Sequence, residues 1–396
     1  MTDRMRPLDG VRVVSLEQAI AAPYCTRMLA DLGARVIKVE RPGTGDFARD
    51  YDRRARGLSS HFVWTNRGKE SLTLDLKQAA ALSVLDRLLA GADVLVQNLA
   101  PGAMDRLGLA HEALASRHPR LIRCDISGYG SSGPYRDRKA YDLLIQAEAG
   151  FLSVTGTPES PSKAGISVAD IAAGVTAHSQ ILAALLLRAR TGRGARIEVS
   201  MLEALAEWMG FPLYYTLDGA PAPARSGAAH ASIHPYGPFR TGDGGTVMLG
   251  LQNEREWQAF CHGVMRDAAL AEDARFAGNA ARQQHREALQ QRIDHCLSGL
   301  RADELQQRLD QAQIANARVN DLAGLWSHAQ LLARERWHTV ASAAGPLPAL
   351  RPPGDSDAFE FRMAGIPAVG EHTQAILGEL GLDDTEIAGL RASGAV

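Results

Sequence analysis

Cysteine is scarce in this chain. Its 396 residues hold four, Cys25, Cys124, Cys261 and Cys296, and none stands in a CxxC pair. That spacing excludes a disulfide framework and a cysteine-based structural zinc site. None of the twelve histidines belongs to an HExxH helix, so no metal centre is expected. There is no excess of either charge: 43 Lys and Arg face 45 Asp and Glu, a formal net charge of −2. A globally basic nucleic-acid binder is thereby excluded, though a local basic patch for a phosphorylated ligand is not. Long uninterrupted apolar runs are missing too. The most apolar region, Ile166 to Leu187, is broken by Asp170, His178, Ser179 and Gln180, so no membrane span is expected. The opening MTDRMRPLDGVRVVSLE has no long apolar stretch. A signal peptide is therefore not expected, and a reducing, cytoplasmic setting is. Neither a GxSxG elbow nor a GxxxxGK[ST] phosphate loop occurs.

What is present is ordinary globular composition, 45% hydrophobic and 22% charged with 38 glycines. At roughly 150 residues per domain the length suggests two or three domains. Strand-like and helix-like patterns alternate through the first half. Val11–Leu16, Arg35–Glu40, Ser71–Leu76, Ala92–Asn98 and Leu121–Ser127 read as strands. A helix is expected from Pro23 to Leu32, stopped by Gly33, with others over Gln78–Leu89 and Pro101–Leu107. Such βαβ alternation predicts a Rossmann-like parallel sheet covered by helices, with ligands beyond the carboxyl ends of the strands. One long helix is expected from Ser167 to Arg190, a strand over Arg196–Ser200, and a helix from Met201 towards Tyr215. The Pro- and Ala-rich run DGAPAPARSGAAHA then marks a linker. The expected organisation is a large domain over 1–218, a linker over 219–229, a smaller α+β domain over 230–325, and a second linker and C-terminal return over 326–396. Within that last part GPLPALRPPG, Gly345–Gly354, reads as linker. The small domain should hold a strand at Thr246–Leu251 and helices near Glu254–Met265 and Arg301–Ala312.

Gly128, Gly130 and Gly133 in GYGSSG match a dinucleotide-binding spacing, but Pro134 and a charged run follow where a helix should start. A mobile cover over an active site suits these glycines better. Asp170 stands at the start of the long helix, in VADIAAG. Either it caps that helix or it is a nucleophile. The neighbouring Ala172, Ala173 and Gly174 are smaller than a cap requires and would leave room for a bulky thioester. Arg41, Lys77, Arg106 and Lys139 lie in or near strand-to-helix connections, where together they could meet a polyphosphate.

Six segments, in register, carry a resemblance over nearly the whole chain: Ala22–Asp46, Asn66–Lys77, Val94–Gly108, Gly128–Gly150, Val168–Gly174 and Thr191–Ala204. The chain resembles the class III coenzyme A transferases, the CaiB–BaiF or formyl-CoA transferase family. The resemblance implies an interlocked-ring homodimer with acyl-CoA and small carboxylic acids as substrates and no permanently bound cofactor. It implies Asp170 as the catalytic residue. Arg41, Leu74, Lys77, Asn98, Leu99, Arg106, Lys139 and Tyr141 would contact CoA. Two departures from formyl-CoA transferase set formate and oxalate apart. Ile20 stands where that enzyme has a glutamine, and HASIHPYG stands where it has a run of glycines. The resemblance leans towards succinyl-CoA as donor and towards itaconate, mesaconate, citramalate, malate or glutarate as acceptor. Arg225, His230 and His234 could then hold the second carboxylate, or be ordinary linker residues. Two alternatives stand beside it: an α-methylacyl-CoA racemase, which shares the fold, and a CoA-binding regulator without chemistry. A racemase is expected to carry a histidine where this chain has Tyr141.

Overall fold

A computed structural model describes residues 5–396. The chain separates into two compact units. The first comprises residues up to Gly150, Ala164–Gly210 and Gln330–Val396; the second comprises Phe151–Lys163 and Phe211–Ala329.

The first unit is built on six parallel strands: β1 (Arg12–Leu16), β2 (Arg35–Glu40), β3 (Lys69–Thr73), β4 (Val94–Gln97), β5 (Ile122–Ser127) and β6 (Arg196–Ser200). Their order is β3-β2-β1-β4-β5-β6, the doubly wound arrangement whose order reverses between β1 and β4. β4, VLVQ, is buried along its whole length, as a central strand of a sheet covered on both faces demands. On one face Val14, Leu16, Ile37, Leu72 and Leu95 pack with Leu85 and Leu89 of α2 (Ala79–Ala90). Ile376, Leu377 and Ile387 enter the same cluster, so the C-terminal segment completes this core. Truncating any fully buried leucine here should cost about 2–5 kcal/mol.

On the other face α1 (Ala21–Asp31) packs against the long α4 (Val168–Thr191), which also touches β5, β6, α3 (Asp142–Glu148) and α5 (Met201–Trp208). α4 is long and apolar enough to span a bilayer by composition alone, but its buried stripe, Ala173, Ala177, Ile181 and Ala184, faces this packing.

Most expected elements form, with several differences; the strand expected over Ser71–Leu76, for one, runs over Lys69–Thr73. α1 starts two residues before Pro23, because Pro is tolerated anywhere in the first turn. The helix expected over Met201–Tyr215 stops at Trp208, and a separate short helix spans Gly210–Tyr215; Gly210 gives little support to a continuous helix. The expected linker at Gly345–Gly354 contains a strand, Leu347–Leu350, paired antiparallel with Trp337–Val340. Val340 and Leu347 are buried opposite one another, which anchors that pair. Finally, Phe151–Lys163 groups with the second unit, although it lies inside the stretch expected to be one large domain. Hydrogen bonds explain this: the Gly227 amide donates to Gly156 O, and the Arg225 guanidinium donates to the carbonyls of Thr157 and Pro158.

The second unit carries an antiparallel sheet of β7 (Tyr236–Arg240), β8 (Thr246–Gly250) and β9 (Asn316–Arg318), in that order. Its core gathers Phe239, Val247, Leu249, Trp257, Phe260, Phe276, Leu289 and Ile293. The expected helix over Glu254–Met265 is α-helical to Ala259 and ends in a wider turn over Phe260–Met265.

Candidate active site

A doubly wound sheet opens a crevice where strand order reverses, because flanking connections leave in opposite directions. Here that point lies beyond β1 and β4. It is bridged by a reciprocal pair: the Gln18 amide donates to Asn98 Oδ1 at 2.9 Å, and Asn98 Nδ2 donates to Gln18 O at 2.8 Å. The turn continues through Ala19, whose φ of 62° is left-handed, into the first turn of α1.

Asp170 lies in the first turn of α4. The hydrogen bonds show whether its carboxylate caps that helix. Ser167, before the helix, makes no side-chain cap. The cap comes from α3: Asp142 Oδ1 accepts the amides of Ala169 at 2.8 Å and Asp170 at 3.2 Å. Asp142 Oδ2 accepts Gln146 Nε2 at 2.6 Å, and Gln146 Oε1 accepts the Ala164 amide at 2.9 Å. With the orphan amides satisfied from another helix, the Asp170 carboxylate is not needed as a cap. The Ala21 N–H at the start of α1 faces it instead and favours its ionised form. Burial, reinforced by the nearby Asp142 charge and opposed by the Ala21 bond, pushes the Asp170 carboxyl up to about 7.

The expectation that Ala172, Ala173 and Gly174 make room for a thioester is corrected. All three are buried. A Cβ on Gly174 would stand 2.8 Å from Ala21 O and 3.1 Å from Tyr24 Cδ1. These small residues let α4 approach α1, and that contact brings Asp170 to the Ala21 amide.

Tyr51 is a member of the site that sequence reasoning missed. Burial and the charges of Asp46 and Asp170 push its phenol up to about 12, so the ring lies in the electrostatic reach of Asp170. It meets the His61 ring edge-on at 5.3 Å. Nothing local marks Tyr51, which sits in an irregular stretch. Asp142 does carry a local signal, an Asp opening a helix, but nothing along the chain says that it caps a different helix.

The candidate CoA contacts fall into two kinds. Arg41, Lys77, Arg106 and Lys139 are exposed, and Tyr141 is 67% exposed. Arg41 follows β2, Lys77 lies between β3 and α2, and Arg106 lies beyond β4; Lys139 and Tyr141 precede α3. Asn98 and Leu99 follow β4, with the Leu99 amide held by Gln97 Oε1 at 2.8 Å. Leu74 is 2% exposed and belongs to the core below the sheet, so its side chain serves packing.

The GYGSSG loop is tied down rather than loose. Ser127 Oγ accepts the Gly130 amide at 2.9 Å. Glu198 accepts both the amide and, at 2.6 Å, the hydroxyl of Ser131. Gly128 O accepts the Leu202 amide at 3.1 Å, and a Cβ on Gly128 would collide with Ala140 at 2.1 Å. Its glycines answer to close packing and to φ values of 88° at Gly130 and 79° at Gly133.

The family model for CoA-transferase family III matches residues 8–373. The chain belongs to that family. This CoA-transferase is 34% identical to a succinate–glutarate CoA-transferase of Agrobacterium fabrum, over 96% of this chain and 97% of that protein. It is 38% identical to an acetyl-CoA:oxalate CoA-transferase of Acetobacter aceti, over 74% and 75%. A solved CAIB/BAIF family protein from Brucella suis is 32% identical and superposes with a TM-score of 0.84, covering 95% of this chain and all of that one.

In the second unit of the CoA-transferase, the expected dicarboxylate residues are otherwise engaged. Arg225 Nε and Nη2 donate to Thr157 O at 2.9 Å and Pro158 O at 3.0 Å. His230 stacks on Tyr236 at 5.1 Å. His234 is 1% exposed, and burial and nearby arginines lower its imidazole to about 4. It is therefore neutral at physiological pH. Among the described residues no cluster of three or more His, Cys, Asp or Glu is placed to hold a metal ion.

Proposed function

We propose that the enzyme moves CoA from succinyl-CoA to a small dicarboxylate through covalent intermediates on Asp170. The observation that carries this reading is the uncapped Asp170 carboxylate, seated on the Ala21 amide and made unusually basic by its surroundings.

An Asp170 oxygen attacks the thioester carbon; the C–S bond breaks, leaving a mixed anhydride and CoA thiolate. The thiolate attacks the aspartyl carbonyl; the anhydride C–O bond breaks, releasing succinate and leaving an aspartyl-CoA thioester. The acceptor carboxylate attacks that thioester and expels the thiolate. Attack of the thiolate on the acceptor carbonyl then releases the new acyl-CoA and restores Asp170. Each intermediate conserves the thioester's transfer potential, so neither ATP nor a permanent cofactor is required.

Two features support the chemistry. A carboxyl lifted to about 7 is a more basic, and hence better, nucleophile than a solvated aspartate once ionised. Each addition also places negative charge on a carbonyl oxygen. The first turn of α1 supplies amides for it at Ala21 and Ala22, Pro23 having none; such fixed donors stabilise developing charge. The exposed Arg41, Lys77, Arg106 and Lys139 suit the CoA phosphates. The glutarate and oxalate of the two named relatives are both dicarboxylates, which favours that acceptor class. A racemase would require a second acid–base group; Asp142 is committed to the α4 cap, and Tyr141 stands where a histidine would be expected. The strongly exposed Phe211, Leu213 and Tyr214 favour a second copy of the chain as partner.

The test is a panel of succinyl-CoA and acetyl-CoA against glutarate, oxalate, citramalate, itaconate, mesaconate and malate, with hydroxylamine trapping. An Asp170 hydroxamate formed only with a competent donor is the expected result. Full transfer by Asp170→Ala would remove the covalent route.

A further inference from the structure

The turn that presents Ala21 to Asp170 is held from below by a buried charge cluster to which the reaction assigns no part. Lys38, in the middle of β2, and Glu17, just beyond β1, have fully buried side chains, and Asp46 is 2% exposed. Lys38 Nζ stands 2.7 Å from Asp46 Oδ2 and 3.4 Å from Glu17 Oε1. Lys69 Nζ reaches the same Glu17 oxygen at 2.6 Å. The other Asp46 oxygen, Oδ1, accepts the amides of Ala48 at 2.9 Å and Ala19 at 3.2 Å.

The bond to Ala48 is an ordinary cap of the short turn Phe47–Asp50. The bond to Ala19 is not local: it crosses 27 positions. It also lands on a residue that needs holding. Ala19 has a φ of 62°, a conformation that residues with a Cβ adopt only where the surroundings impose it. Two residues on, the Ala21 amide meets Asp170. If the Ala19 peptide relaxed to negative φ, the chain direction into α1 would change and this amide would swing off the carboxylate.

We propose that Asp46 is a positioning residue for the nucleophile: anchored on Lys38, it holds Ala19 left-handed and so keeps the Ala21 N–H aimed at Asp170. The proposal rests on Asp170 being the nucleophile, as argued above. Its consequence is a rescue. Glycine takes the left-handed conformation without a Cβ penalty, so Ala19→Gly should compensate a weakened Asp46.

The experiment measures the single-turnover rate at which succinyl-CoA and hydroxylamine convert Asp170 to its hydroxamate, with steady-state kinetics alongside. Asp46→Asn should slow labelling and kcat by about tenfold to a hundredfold, the scale of a misplaced catalytic contact, with the KM for succinyl-CoA little changed. Ala19→Gly alone should stay near wild type. The double variant should regain about tenfold over Asp46→Asn. Unchanged labelling in Asp46→Asn, or no recovery in the double variant, would overturn the proposal. Absence of any Asp170 label in the wild type would instead remove the reading on which it rests. Should Asp46→Asn not fold, Ala19→Val decides the point with every buried charge intact. A β-branched residue resists positive φ, so kcat must fall at least about tenfold; unchanged kcat would reject the proposal.

Discussion

Asp142 caps the helix that carries Asp170: one oxygen of the first carboxylate accepts the backbone amide of the second residue at 3.2 Å. The capping carboxylate and the proposed nucleophile are therefore neighbours at one helix end. The cap's negative charge opposes ionisation of its neighbour, and the same cap leaves that neighbour's side chain free.

Ionised Asp170 should cost stability. Its carboxyl is lifted from 3.8 to about 7 in the folded protein. Between those values the native state holds a proton that the unfolded chain has released, so stability falls as pH rises through this window. Asp170→Asn should thus be more stable than the wild type by up to about 4 kcal/mol at pH 8, with the advantage vanishing near pH 4. Urea melts at the two pH values check this; an equal difference at both would contradict it.

Asp142→Asn should move the acid limb of kcat/KM downwards. Removal of a neighbouring like charge lets Asp170 ionise at lower pH, while the amide oxygen still accepts the helix amides. The limb should shift by about one pH unit. Asp142→Ala should lose the cap as well, at about 1 kcal/mol. Rate profiles between pH 5 and 9 and thermal melts separate the two effects.

Gly174→Ala reverses the usual rule for helices. In an exposed helix interior the change stabilises by up to about 1 kcal/mol. Here the new methyl would stand 2.8 Å from Ala21 O, and the α1–α4 contact must open. A loss of about 1–3 kcal/mol is expected, with a fall in kcat because Ala21 also carries the donor to Asp170. A stabilised, fully active variant would show that the helix contact does not set the site.

Glu198→Ala should free the GYGSSG loop without weakening the fold. Glu198 holds the Ser131 amide and hydroxyl and is partly exposed, so the stability change should stay within about 0.5 kcal/mol. Hydrogen exchange at residues 128–133 should quicken markedly. Unaltered exchange would mean that Ser127 and the packing of Gly128 suffice to hold the loop.

Much of this protein was legible along the chain. Apolar runs such as VLVQ, and the small-residue start of VADIAAG, are local patterns. They announced the parallel sheet and the long α4 because hydrophobic periodicity is written in consecutive residues. The six conserved-order segments carried the family resemblance, and Asp170 with it. Shifted boundaries, such as the strand inside GPLPALRPPG, arose where pairing with Trp337–Val340 outweighed a proline-rich composition.

The sequence by itself therefore determined the doubly wound architecture and the chemical class, and it singled out the carboxylate proposed as nucleophile. Tertiary structure alone decided that Asp142 and not Asp170 caps α4. It also decided that Gly174 serves a helix contact, that the Arg225 guanidinium rests on the carbonyls of Thr157 and Pro158, that His234 is buried, and that Asp46 holds the Ala19 amide. The physical reason is separation. Residues 19, 21, 46, 142 and 170 meet only after the sheet has assembled, and a hydrogen bond between positions so far apart leaves no periodicity in the chain for local reading to detect.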